Sequence, residues 1–220
     1  MSDLRRIRVL LVDDDPIVCA GLELMLSSAD DVQVVGRADD GDQALEAIRT
    51  GRPDVVLMDV RMQRQDGVTT TGQIKRLDNP PRVVVLTTFD ADDVVVRAIT
   101  AGADGFLLKT SSPTQILDAV RGVDGGQATL SPATVRAVFA HVASSDDPQR
   151  TAARTAVTRL TDREREVSVA VARGLSNAQI ARELYASEAT VKTHLASAQH
   201  KLGVTNRVSV AVVVTKAGLV

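Results

Sequence analysis

The chain has 220 residues, 44% of them hydrophobic and 25% charged, which suits a globular protein of one or two domains with at least one sizeable core. No apolar stretch approaches the roughly 18 residues that span a membrane, and the acidic turn after the first apolar run does not read as a signal peptide. The net charge of −2 conceals a division: residues 1–149 carry 15 Lys+Arg against 23 Asp+Glu, while residues 150–220 carry 11 against 5. An acidic portion followed by a basic one points to nucleic-acid contact by the C-terminal portion alone. The single cysteine, Cys19, precludes an intramolecular disulfide and fits a reducing cytoplasm.

Short Val/Ile/Leu runs occur at residues 7–12, 32–36, 55–58, 82–87 and 105–108. They are nearly continuous in apolar character, the pattern of parallel strands covered on both faces. Asp15-Pro16 supplies a cap and a first-turn proline for a helix after the first run. Gly51 and Gly102 follow amphipathic stretches as C-terminal glycines, Asp90 can cap the fourth helix, and Ser112-Pro113-Thr114-Gln115 forms a capping box for the fifth. Alternating strands and helices predict a doubly wound α/β domain with a five-stranded parallel sheet over residues 1–125. Residues 126–157 read as a linker with a short helix, 131–141, capped by Ser131. ASSDDPQRTAART lacks apolar periodicity and is the best connecting segment. From residue 158 to 220 the pattern is all-helical: Thr161 to Glu164 opens one helix, Ser176 to Gln179 the next, and Ser187 a third that Gly203 ends. Asn206 can cap a fourth, although the β-branched residues of VSVAVVVTKAGLV would by propensity favour a strand.

Five polar residues each close an apolar run: Asp13 and Asp14, Asp59, Thr87 and Lys109. Parallel strands bring their carboxyl ends to one edge, where ligands bind in open α/β sheets. Three carboxylates, a hydroxyl and an ammonium at one edge suit a hard cation and a phosphoryl group. Asp59 is the candidate nucleophile, because a carboxylate can form an acyl phosphate. Mg²⁺ would relieve the repulsion among the three carboxylates, Lys109 would neutralise a phosphoryl oxygen and Thr87 could donate to another.

LLVDDDP, VVLMDVRMQRQDG, VVVLTTFD and GADGFLLK resemble the receiver domain of two-component response regulators. The resemblance implies Asp13 and Asp14 as the acidic pair, Asp59 as phosphoacceptor, Thr87 and Phe106 as the switch residues and Lys109 as the invariant lysine. It further implies that the backbone carbonyl of Arg61 ligates Mg²⁺. One departure is plain: receivers usually read Met-Pro in the following loop, whereas Met62 here precedes Gln63.

In the basic portion, SNAQIARELY and SEATVKTHLASAQHKL are two helices joined by a short turn, the helix-turn-helix arrangement. Val191, Leu195 and Ala198 share an inward face, and Lys192, Thr193 and Ala196 lie opposite. LTDREREV and GLSNAQIARELYASEATVKTHLASAQHKLGV resemble LuxR-type DNA-binding domains, and the combination resembles NarL/FixJ response regulators. That resemblance implies base contacts by Lys192, Thr193 and Ala196, and contacts to the DNA backbone by Thr190, His194 and Arg207. It also makes the last segment a fourth helix and a dimer surface.

The expectation is a cytoplasmic, non-enzymatic transcription regulator. A sensor histidine kinase would phosphorylate Asp59 in the presence of Mg²⁺, and phosphorylation would drive homodimerisation on double-stranded promoter DNA, with RNA polymerase a further partner. Two alternatives are a regulator independent of phosphorylation and an aspartyl-phosphate phosphotransferase. The latter needs a second Asp two residues after the nucleophile, where Arg61 stands.

Overall fold

The computed structural model describes residues 5–87, 92–127, 129–130 and 147–220. The predicted helix at 131–141 and the Asp90 cap lie outside them. The chain divides into two compact units, with the change-over between residues 125 and 135.

In the first unit, strands and helices alternate: β1 Ile7–Val12, α1 Pro16–Leu26, β2 Val32–Ala38, α2 Gly41–Gly51, β3 Val55–Asp59, α3 Gly67–Ile74, β4 Arg82–Thr87, α4 Asp92–Ala101, β5 Gly105–Leu108 and α5 Pro113–Asp124. A two-residue strand, β6 Thr129–Leu130, extends the expected five-stranded sheet by one at its edge. All pairings are parallel and the order is β2-β1-β3-β4-β5-β6. The apolar runs are continuous because both sheet faces are covered. Val55 and Leu57 join Leu22, Leu26, Ile116 and Val120 in one core cluster, while Val56 and Met58 point the other way and are buried as well.

The helix ends follow their side-chain chemistry. Asp15 accepts from the Ile17 amide at 2.8 Å, and Ser112 and Gln115 complete the capping box of α5. At the end of α2 the left-handed position is taken by Arg52, with φ 43°, rather than by Gly51, which is still helical. Gly102, with φ 109°, closes α4 as expected.

The second unit contains α6 Asp147–Val157, α7 Asp162–Ala172, α8 Asn177–Glu183, α9 Glu188–Leu202 and α10 Arg207–Lys216. Residues 147–155 of the expected connecting segment ASSDDPQRTAART are therefore helical, within α6. Ala153 and Val157, four residues apart, are buried with Leu160 against Ala198 and Ala217. The α7 and α8 capping boxes form, Ser187 caps α9, Gly203 ends it at φ 69°, and Asn206 accepts from Ser209 at 2.6 Å to open α10. Valine is a poor helix former, by about 0.6 kcal/mol against alanine. Burying Val208, Val210 and Val214 contributes about 1.5 kcal/mol or more each, so the core overrides the strand propensity of α10.

Candidate phosphoryl site and nucleic-acid interface

Strand order reverses between β2-β1 and β3-β4-β5, which opens a crevice at the carboxyl ends of β1 and β3. Register then places the side chains. Val12 pairs with Met58, Asp59 with Leu86 and Thr87 with Leu108, so Asp13, Asp59, Thr87 and Lys109 emerge side by side. The Lys109 amide donates to the Thr87 carbonyl at 2.7 Å, extending the β4–β5 ladder past its last strand residue.

Asp13, Asp59 and Thr87 are all buried. The Lys109 ammonium lies 2.6 Å from Asp13 Oδ2 and 3.1 Å from Asp59 Oδ1, bridging the two carboxylates. Asp14 is half-buried, and one oxygen from each of Asp13, Asp14 and Asp59 lies within 4.8 Å of the others. Three ionised carboxylates against one ammonium leave an excess of two negative charges, the complement of a divalent cation. All the donors are hard oxygens, the ligand type Mg²⁺ takes, so these residues fit the ion.

Burial pushes the Asp59 carboxyl above the ordinary carboxylate range, with the Asp13 charge adding to it; the bond and charge of Lys109 oppose the rise without cancelling it. Burial pulls Lys109 down, but its bonds to Asp13 and Asp59 outweigh that and hold the ammonium above its usual value. Lys109 therefore stays charged through the physiological range. Phe106 is fully buried on β5, opposite Val85. Arg61 lies in the loop between β3 and α3 with its side chain exposed.

Several residues that shape this edge did not stand out from sequence. A Cβ on Gly67 would lie 1.9 Å from the Asp59 carbonyl oxygen, so the return of the loop onto β3 requires glycine. Asp66 caps α3 by accepting from the Thr69 amide at 2.8 Å. Asp40, also buried, reaches the same loop from the start of α2, accepting from the amides of Arg64 and Gln65. The legible signal was the pair of Asp-Gly dipeptides, Asp40-Gly41 and Asp66-Gly67, which mark turns.

In the second unit, α8 and α9 are joined through Leu184 to Ser187, where Tyr185 takes a left-handed φ of 52° and projects fully into solvent. Val191, Leu195 and Ala198 are buried in the unit's two core clusters. Thr190, Lys192, Thr193 and Ala196 are exposed, and His194 is half-buried. The face expected to meet DNA is thus presented to solvent with a capped N-terminus, where Ser187 accepts from the Thr190 amide at 3.0 Å. The other end of α9 is anchored. Glu164 of the α7 capping box accepts from Ser197 Oγ and from Lys201 Nζ, each at 2.7 Å. Burial alone would raise the Glu164 carboxyl, but Lys201, Ser197 and Thr161 outweigh it and bring it to about 2.

Arg207 departs from expectation. Its side chain is buried, donating to Asn177 Oδ1 at 2.7 Å and to the Leu175 carbonyl, and burial lowers its pKa to about 10. The guanidinium ties the start of α10 to the α7–α8 turn.

Residues 9–121 match the response regulator receiver domain, and residues 158–214 match the bacterial regulatory proteins of the luxR family. The chain belongs to the response regulators, with a receiver domain and a LuxR-type DNA-binding domain. It is 37% identical to the transcriptional regulatory protein LiaR of Bacillus subtilis over 94% of this chain and 95% of that one. It is 34% identical to the nitrate/nitrite response regulator protein NarL of Escherichia coli K12 over 96% of each. Among solved structures, the response regulator ChrA of a heme-sensing two-component system aligns with 99% of this chain and 100% of its own, at 38% identity and a TM-score of 0.55. The receiver implies a histidine kinase partner, and the LuxR-type domain implies DNA binding. No helix among the described residues is long and apolar enough to cross a membrane.

Proposed function

We propose that Asp59 is the phosphoacceptor of a cytoplasmic two-component regulator, and that its acyl phosphate controls dimerisation and transcription. The observation that carries this reading is the Lys109 bridge between Asp13 and Asp59 at the sheet's switch point, beside Asp14 and Thr87. A carboxylate oxygen of Asp59 attacks the phosphorus of a phosphohistidine on the sensor kinase. The new P–O bond forms as the P–N bond breaks, and the histidine nitrogen leaves with its electron pair and takes up a proton. Transfer of this kind depends on positioning and on charge neutralisation at the equatorial oxygens. Lys109, already next to Asp59, meets one of those oxygens, and the Thr87 hydroxyl donates to another. Asp13, Asp14, Asp59 and the Arg61 carbonyl would hold Mg²⁺, which would supply the remaining positive charge.

Thr87 moves toward the phosphoryl group and Phe106 reorients, biasing the face formed by α4, β5 and α5 between two states. Dimers then set two copies of α9 on half-sites about one DNA turn apart. Lys192, Thr193 and Ala196 meet base edges, Thr190 and His194 meet the DNA backbone, and RNA polymerase is the downstream partner. Labelling of the wild type and of Asp59→Asn with a small phosphodonor tests the acceptor. Mg²⁺-dependent incorporation that vanishes in the variant is expected, and equal incorporation in both overturns the assignment.

A further inference from the structure

We propose that Asp40 is a positioning residue for the cation side of the phosphoryl site, acting through the loop that follows Asp59; the inference rests on reading that site as a phosphoacceptor. Asp40 stands at the N-cap of α2, yet its side chain makes no cap bond to that helix. Both carboxylate oxygens go instead to the β3–α3 loop. Oδ2 accepts from the Arg64 amide at 2.9 Å and Oδ1 from the Gln65 amide at 3.1 Å. The carboxylate is 1% exposed, so these are charge-assisted bonds shielded from water.

The neighbouring contacts are equally close. A Cβ on Gly41 would fall 2.0 Å from Thr70 Oγ1, and Gln65 Nε2 donates to that same hydroxyl at 2.8 Å and to Gln73 Oε1 at 3.1 Å. The start of α2 is therefore pressed against the loop and α3. At its other end the loop is fixed to the phosphoacceptor strand, because the Gly67 amide donates to the Val60 carbonyl at 3.0 Å and Gly67 abuts Asp59. Arg61 lies inside the span held between these two anchors. Losing a group that orients a metal ligand from outside commonly costs about 10- to 100-fold in metal affinity. In this chain Gln63 stands in the same loop, where a proline ring would restrain the backbone from within. Asp40 restrains it from a neighbouring helix.

The test uses the full chain as wild type, Asp40→Ala, Asp40→Asn and Arg64→Ala. Hydrogen–deuterium exchange of residues 61–66 reads the loop, isothermal titration with MgCl₂ reads the cation and a melting curve reads the fold. Asp40→Ala is expected to speed loop exchange and to raise the Mg²⁺ dissociation constant about tenfold. Asp40→Asn keeps an acceptor but loses the charge, and falls between Asp40→Ala and wild type on both readouts; it decides the matter if the alanine variant does not fold. Arg64→Ala keeps its backbone amide and gives up long ion pairs to Asp39, Asp40 and Asp42 made by a guanidinium that is mostly exposed, so it stays near wild type. Unchanged loop exchange, or faster exchange with unchanged Mg²⁺ affinity, overturns the inference alone. A wild type that takes up no Mg²⁺ overturns the phosphoacceptor reading together with it.

Discussion

Replacing Lys109 with methionine removes the only positive charge that the described structure places against Asp13 and Asp59, at 2.6 and 3.1 Å. At an effective dielectric of about 20, each attraction is worth about 5 to 6 kcal/mol before desolvation is subtracted. Stripping one partner from a buried charge cluster typically destabilises by about 3 to 5 kcal/mol. The Lys109 side chain keeps 15% of its exposure, which argues for the lower end, about 3 kcal/mol. For a unit of this size that is a fall of about 10 °C in melting temperature. The Asp59 carboxyl is already raised in the folded protein, and losing Lys109 raises it further. A raised carboxyl adds stability below its unfolded value that fades as pH rises through the folded one. Acidification from neutral pH therefore returns part of the loss. Mg²⁺ returns part too, and its stabilisation should be larger in Lys109→Met than in wild type, because the variant site carries three uncompensated negative charges. Scanning calorimetry of the full chain, with and without Mg²⁺ and at two pH values, measures all of this. A variant within about 2 °C of wild type and no more sensitive to Mg²⁺ would show that the lysine bridge is not what balances the acidic edge.

Gly67→Ala should displace the end of β3 and abolish phospho-labelling of Asp59, since the added methyl would meet the Asp59 carbonyl oxygen at 1.9 Å; labelling at the wild-type rate would refute the close approach. Glu164→Gln should destabilise the DNA-binding unit by about 2 kcal/mol near neutral pH. Because the Glu164 carboxyl is lowered from 4.5 to about 2, that difference should be full above pH 4.5 and shrink toward pH 2, which urea titration across that range reads out. Lys192→Ala should weaken duplex binding and reduce the slope of log affinity against log salt by about 1 if the lysine meets a phosphate. A base contact would instead relax preference at one position, so titrating two operator variants separates these outcomes from a residue that touches no DNA.

The sheet edge was legible because its signal is topological. Buried parallel strands are continuous apolar runs, and the polar residue that ends each must surface at the same edge, whatever the helices do. Asp13, Asp59, Thr87 and Lys109 meet for that reason. Asp40 was not legible, because an aspartate before a glycine reads equally well as a helix cap, and only the fold brings a loop some two dozen residues later into its reach. Helix α6 was missed because its residues are polar on average, although its amphipathic pattern is as marked as that of α5, with Ala153 and Val157 on the inward face. The burial of Arg207 was not legible for the opposite reason: an arginine in a basic segment is assigned to the surface, and the Asn177 and Leu175 acceptors that draw it inside belong to a different turn. The helical state of α10 came from resemblance, since its valines favour a strand until they find a core.

Helix α9 is gripped at its inner face by Val191, Leu195 and Ala198 and at its far end by Glu164, while Lys192 and Ala196 take part in none of these contacts. On the proposed DNA contacts, folding and reading fall to different residues of one helix. Exchanges at Lys192 and Ala196 are then expected to alter the operator sequence preferred while leaving those packing contacts in place. Such a domain would be retargeted to new promoters by single substitutions while the receiver that governs it stays the same.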